Sequence, residues 1–115
     1  MAETFLYLTT TGRTTGLPRP IEIWYVALDE RYYMVSERRE DSGWVKNLRQ
    51  TPSVRFSVGT RSDKGSALAE TAATARVVDA DREPDLAARV RAAMDARYRW
   101  SDGLIVELAP EDTRA

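Results

Sequence analysis

The segment Gly12-Arg13-Thr14-Thr15-Gly16-Leu17-Pro18-Arg19 concentrates groups that bind anions. Its glycines let the backbone expose successive N–H groups, its threonine hydroxyls donate hydrogen bonds, and Arg13 and Arg19 add fixed positive charge with bidentate geometry. Such a loop suits a phosphate or a carboxylate, and the same composition suits an ordinary hairpin loop with solvated arginines. It is not a Walker loop, because the glycine spacing differs and the Lys is absent. A second group is aromatic: Trp24 and Tyr25 in one apolar run, Tyr32 and Tyr33 in the next, and Trp44 further on. Planar side chains from adjacent elements can wall a groove for a flat heterocycle, and they equally fill cores. The run Glu37-Arg38-Arg39-Glu40-Asp41 is either a solvated loop or a flap from which Arg38 or Arg39 folds over an anionic ligand. Glu22, inside an apolar run, either reaches water or points into a ligand groove, since burial without a partner is costly.

The residues that are missing narrow the chemistry. The 115-residue chain contains no Cys and no His. That excludes a Ser-His-Asp triad, a thiolate nucleophile, a disulfide framework and the usual zinc or iron–sulfur ligands, so no metal site is expected. Redox chemistry would have to come from a bound cofactor, and tyrosine hydroxyls, Tyr25 and Tyr98 among them, are the main side-chain proton donors left. With 17 Lys plus Arg against 18 Asp plus Glu, the net charge is -1 and both signs are mixed, so nucleic-acid binding is not expected. The first ten residues do not read as a signal peptide, and no run approaches the roughly 20 apolar residues that span a bilayer. A soluble cytoplasmic protein without a membrane partner is the expectation.

The elements that must position these groups are mostly strands. Phe5 to Thr10 reads as a strand entering the glycine-arginine loop, Ile21 to Leu28 as a single central strand covered on both faces, and Tyr32 to Ser36 as its hairpin partner. Asp41 or Ser42 caps a short helix carrying Trp44, Val45 and Leu48 on one face, which Thr51-Pro52 stops. Ser53 to Val58 alternates as a half-buried strand should, and the β-branched residues of Ala67 to Val78 favour strand over helix. Leu86, Val90, Met94 and Tyr98 recur every four residues behind Pro84 and predict a surface helix before the last strand, Leu104 to Leu108. About six strands with short connections favour one domain over residues 1–115, built as an antiparallel barrel or sandwich with appended helices.

Three of these stretches, in register, resemble the deazaflavin (F420)-dependent nitroreductases, a branch of the flavin and deazaflavin oxidoreductases with a pyridoxamine 5'-phosphate oxidase-like fold. They are Thr10 to Arg19, Tyr33-Met34-Val35-Ser36 before a charged loop, and Gly43-Trp44-Val45-Lys46-Asn47-Leu48 leading to Thr51-Pro52-Ser53-Val54. The resemblance covers about half the chain and implies a mainly β, six-stranded antiparallel split β-barrel with one short and one longer flanking helix. It implies coenzyme F420 in a groove, with the Arg13 to Arg19 loop, including Thr14, Thr15 and Gly16, holding phosphate and the acidic tail. Met34, Val35 and Ser36, with Ile21 and Ile23, would flank the flat ring, Arg38 would reach an anionic group, and Trp44 would line the phosphate side. The chemistry implied is hydride transfer from the reduced deazaflavin to a small-molecule acceptor: a quinone, nitro compound or activated alkene. A homodimer is implied by the same analogy. Two positions depart from the family pattern: Thr14 replaces a frequent basic residue, and Glu37 stands where a Lys often follows the serine. They keep two alternatives open, an FMN-binding split-barrel oxidoreductase and a non-catalytic carrier of a flavin or heme.

Overall fold

The apolar run from Ile21 to Leu28 does not form one strand. In the computed structural model, which describes residues 4–60 and 70–111, it divides at Trp24-Tyr25 into two strands that lie at opposite edges of one sheet. In chain order the elements are β1 (Phe5–Thr11), β2 (Pro18–Ile23), β3 (Val26–Leu28), β4 (Arg31–Ser36), a 3-10 turn (Arg39–Asp41), α1 (Gly43–Gln50), β5 (Ser53–Gly59), β6 (Thr71–Val77), α2 (Pro84–Tyr98) and β7 (Leu104–Pro110). The sheet order is β2-β1-β5-β6-β7-β4-β3, with every pairing antiparallel. Two residues connect the first strand of that order to the last, so the sheet curls until its edges approach at Trp24-Tyr25. The result is a split barrel of seven strands rather than six. Of the long strand expected from Ala67, Thr71–Val77 is observed and 67–69 lie outside the described residues.

Two apolar clusters hold the barrel. One fills its interior with Leu6, Leu8, Met34, Val54, Phe56, Val106 and Leu108, and is plugged by Val45 and Leu48 of α1. The other lies outside, where Ala87, Val90 and Met94 of α2 cover Val26, Tyr33, Val35, Val78 and Ile105. The four-residue spacing read from the sequence is thus the buried face of α2, and Pro84 stands in its first turn, where a missing N–H costs nothing. Full burial of each aliphatic side chain contributes about 1.5–3 kcal/mol, and a few polar sites are set between them.

One of those polar sites is Glu107, 2% exposed in the middle of β7. Register places Tyr33 of β4 and Arg76 of β6 directly beside it. The Tyr33 hydroxyl donates to its carboxylate at 2.8 Å, the Arg76 Nε at 2.9 Å and Arg31 at 3.3 Å. Burial alone would push the Glu107 carboxyl up, but the hydrogen bonds from Arg76 and Tyr33 and the two guanidinium charges outweigh it and hold it below the usual range. Tyr33 is pushed up to about 12, by burial first and then by its bond to the Glu107 carboxylate.

Candidate functional site

The glycine-arginine loop is a closed turn. The Gly12 N–H donates to the Leu17 carbonyl and the Gly16 N–H to the Gly12 carbonyl, both at 2.8 Å, while Gly16 takes a φ of 73°, which favours glycine. Thr15 Oγ1 accepts from the Leu17 N–H at 3.2 Å and from the Arg19 guanidinium at 3.4 Å. A Cβ on Gly12 would meet that same Thr15 oxygen, the Arg19 Nε and the Leu17 carbonyl at 3.0–3.2 Å, so the loop packs around Gly12.

Asn47 docks the loop on α1. Its Oδ1 accepts from the Arg13 N–H at 3.2 Å and the Arg13 guanidinium at 2.9 Å, and its Nδ2 donates to Thr10 Oγ1 at 3.1 Å. Gln50 adds a bond to the Arg13 carbonyl. Arg13 is therefore a strut between loop and helix as well as a positive charge. Asn47 is buried beside Val45 and Leu48, where an amide must find partners.

Two hollows meet at Trp44. The smaller, about 380 Å³, is bordered by Thr10, Pro18, Arg19, Pro20, Ile21, Gly43, Trp44 and Asn47. The larger, about 680 Å³, is bordered by Ile23, Val35, Ser36, Ser42 and Trp44, and further out by Phe5, Glu22, Trp24, Glu37, Arg38 and Trp100. All three tryptophans of the chain border this second hollow. Its floor is fixed by a buried hydroxyl pair. Ser36 Oγ donates to the Arg39 carbonyl at 2.9 Å, so the Ser42 hydroxyl donates to Ser36 across 2.6 Å. Arg39, at a φ of 53°, turns its guanidinium outward to Asp102 at 2.9 Å and ties the charged turn to the segment after α2.

Of the residues singled out from the sequence, Arg19, Ile21, Ile23, Val35, Ser36, Arg38 and Trp44 border this double hollow, and Arg13 reaches it through Asn47. Thr15 buttresses the loop. Thr14 is exposed and borders neither hollow, and Gly16 borders a separate one with Thr9 and Ser53. Met34 is fully buried in the barrel interior, because strand alternation turns it away from the wall that Val35 forms. Arg38 stands in the larger hollow with Glu37, apart from Arg13 and Arg19.

Neither tyrosine hydroxyl borders a hollow. Tyr98 accepts from the Tyr25 N–H at 3.2 Å and donates to the Tyr25 carbonyl at 2.9 Å, and the Tyr25 hydroxyl pairs with Thr4 at 3.1 Å. Trp24, read from the sequence as a possible groove wall, borders the larger hollow, and the bordering or docking residues that sequence reasoning did not assign are Asn47, Ser42 and Trp100. Among the described residues there is no group of three or more His, Cys, Asp or Glu that could hold a metal, and no helix long and apolar enough to cross a membrane.

A curled antiparallel sheet with a ligand-sized groove beside a glycine-arginine loop defines a split-barrel protein. Solved structures share the fold. A heme storage protein from Vibrio cholerae, HutZ, is 21% identical with a TM-score of 0.71, covering 94% of this chain and 82% of its own. An F420 reductase is 18% identical with a TM-score of 0.61, covering 94% and 86%. An FAD-binding protein from Mesorhizobium loti is 12% identical with a TM-score of 0.66, covering 96% and 83%. No curated protein sequence matches. The model of the F420H(2)-dependent quinone reductase family matches residues 1–105, and the chain belongs to that family. It is accordingly an oxidoreductase.

Proposed function

We propose that the protein binds coenzyme F420 across the two hollows and passes a hydride from its reduced form to an electron-poor acceptor, a quinone first of all. The observation that carries this reading is the adjoining of two hollows at Trp44, a smaller one bordered by Arg19 and Asn47 and a larger one walled by Ile23, Val35 and tryptophans with charged residues further out. A heterocycle with a long anionic arm needs both. Arg19, oriented by Thr15, offers a charge-assisted bond to a phosphate or carboxylate, with Ile21 beside it in the smaller hollow, while Ile23 and Val35 supply an apolar wall for the ring in the larger one. When bound, reduced F420 supplies the hydride, and the protein supplies orientation and exclusion of water. The Ser36–Ser42 pair fixes part of the larger hollow's wall, and Trp44, which borders both hollows, would stand between the anionic arm and the ring. Tyr25 and Tyr98 are engaged by the fold and border neither hollow, so neither is assigned as the donor of the proton that completes two-electron reduction of a quinone.

FMN remains the second reading, because the Arg19 hollow would take its phosphate as well and an FAD-binding protein shares the fold. A heme carrier is less well served. The chain has no His or Cys to ligate iron, and Met34 and Met94 are sealed in the core. A cytoplasmic homodimer is part of this proposal by analogy with other split barrels.

Fluorescence titration with F420 and with FMN, followed by turnover of reduced F420 with menadione, tests the reading. F420 should bind in preference, and Arg19→Ala should weaken it roughly 10- to 100-fold, the worth of one charge-assisted bond. Binding of neither cofactor would remove both enzyme readings, and binding without turnover would favour a carrier.

A further inference from the structure

The residues between α2 and β7, Arg99 to Gly103, fold back along the helix they leave. Tyr98 anchors the near end: its ring stacks on the Trp24 indole with centroids 4.5 Å apart and planes 4° from parallel, and its hydroxyl bonds to the Tyr25 backbone. Arg99 starts the reversal at a φ of 57°, its N–H donating to the Asp95 carbonyl at 2.9 Å. Arg91, about two turns before the helix ends, meets the returning chain. Its guanidinium donates to the carbonyl of Ser101 and, at 3.1 Å, to that of Gly103, and among the described residues these carbonyls are the partners of its side chain. A half-buried fork spent on two carbonyls of one connection holds it with charge-assisted bonds that an ammonium group does not reproduce.

What Arg91 holds is a wall of the larger hollow. Trp100, between the left-handed Arg99 and the first of the two carbonyls, borders that hollow. Gly103 lies so close to β4 that a Cβ there would collide with the Ser36 carbonyl and stand 2.6 Å from Val35 Cγ1. Val35 and Ser36 border the same hollow, and none of Trp100, Val35 and Ser36 borders the smaller one with Arg19. The Arg39–Asp102 pair also reaches the connection, but both its side chains are exposed, and such pairs contribute little. We infer that Arg91 is a positioning residue for the larger hollow: from the flank of α2 it holds the connection against Val35 and Ser36 and so sets Trp100 in the wall, without itself bordering the cleft. A loosened wall leaves the anion hollow intact and lets molecules in the larger one take unproductive poses, and small misplacements cost rate steeply. The effect on turnover rests on the reading of the cleft as a redox site, whereas the placement of Trp100 does not.

Fluorine NMR of fluorotryptophan-labelled protein reads the three tryptophans separately, with assignments from Trp24→Phe, Trp44→Phe and Trp100→Phe. Spectra of the cofactor-free wild type, Arg91→Ala, Arg91→Lys and Asp102→Asn are compared, and kcat for reduced F420 with menadione and the Kd for F420 are measured on the same proteins. Arg91→Ala should shift or broaden the Trp100 resonance while that of Trp44 on α1 stays in place. It should lower kcat about tenfold and change the F420 Kd by less than about threefold. Arg91→Lys should be intermediate, and Asp102→Asn should match the wild type. An unmoved Trp100 resonance in Arg91→Ala overturns the inference, as does a moved one with kcat unchanged or with F420 affinity lost in proportion to kcat. Asp102→Asn reproducing the Arg91→Ala changes overturns it in favour of the surface ion pair. Should Arg91→Ala fail to fold, Arg91→Lys decides by the same criteria. A Trp100 resonance that moves in a protein whose wild type binds no F420 upholds the placement and sinks the cofactor reading.

Discussion

Asn47 satisfies three groups at once, the Arg13 N–H, the Arg13 guanidinium and Thr10 Oγ1, from a position 6% exposed. Truncating it strands buried polar groups, a larger loss than forgoing one bond. Asn47→Ala should therefore cost about 1–3 kcal/mol in denaturant unfolding and weaken F420 binding, because the loop loses its dock. Asn47→Asp keeps the acceptor for both Arg13 bonds and puts a negative charge in the arginine-bordered hollow. It should retain more stability than the alanine variant and bind F420 more weakly still. If the two variants lose affinity in proportion to stability, the hollow is not an anion site. The positive charges of this site were legible in the sequence, since arginines between glycines advertise themselves. Asn47 was not, because its role depends on which face of an eight-residue helix meets the loop.

The crossing at Trp24-Tyr25 decides the fold at the scale of elements. Ile21 to Leu28 reads as one strand because it is apolar except at Glu22 and rich in β-branched and aromatic residues, and neither Gly nor Pro interrupts it. Its two halves instead pair with β1 and β4 at opposite edges, an outcome of barrel closure that local propensity does not encode. The end of α2 secures the crossing. Tyr98 satisfies both the N–H and the carbonyl of Tyr25, and Arg97 donates to that carbonyl at 3.0 Å. Tyr98→Phe preserves the stack on Trp24 and removes the partner of the Tyr25 N–H. It should cost about 1–2 kcal/mol in thermal or chemical unfolding. The pH profile of kcat should keep its shape, whereas loss of a proton donor would delete an ionisation from it. The other elements were legible for the opposite reason: alternation in Ser53 to Val58 and the four-residue spacing of Leu86 to Tyr98 are local patterns that burial follows directly.

Across the whole molecule α2 acts as a brace. Near its start the Arg76 guanidinium spans from Glu107 in the sheet to Glu83, whose carboxyl that bond holds below its usual range. Near its end Arg97 and Tyr98 grip the crossing that shapes the cleft. The buried charge cluster therefore supports the site from a distance, and its titration sets the pH window of the fold. Glu107 has a folded pKa below the ordinary carboxyl value of 4.5. Its contribution to stability is fully present above 4.5 and disappears as pH falls through the folded value. Tyr33 is raised from 10.0 to about 12. Its contribution is present below pH 10 and is lost as pH rises towards 12. Glu107→Gln removes the carboxylate from both effects. Because Arg76 and Arg31 are about half exposed and can turn to water, the loss at neutral pH should be about 1–3 kcal/mol, less than for a fully buried pair. The acid limb of the stability curve should flatten. Tyr33 should ionise at lower pH in the variant, since burial remains but the carboxylate no longer opposes its charge. Unfolding free energies measured from acid to alkaline pH, together with tyrosinate absorbance, check both limbs. A variant that keeps the wild-type acid slope would show that other carboxylates, not Glu107, govern acid unfolding.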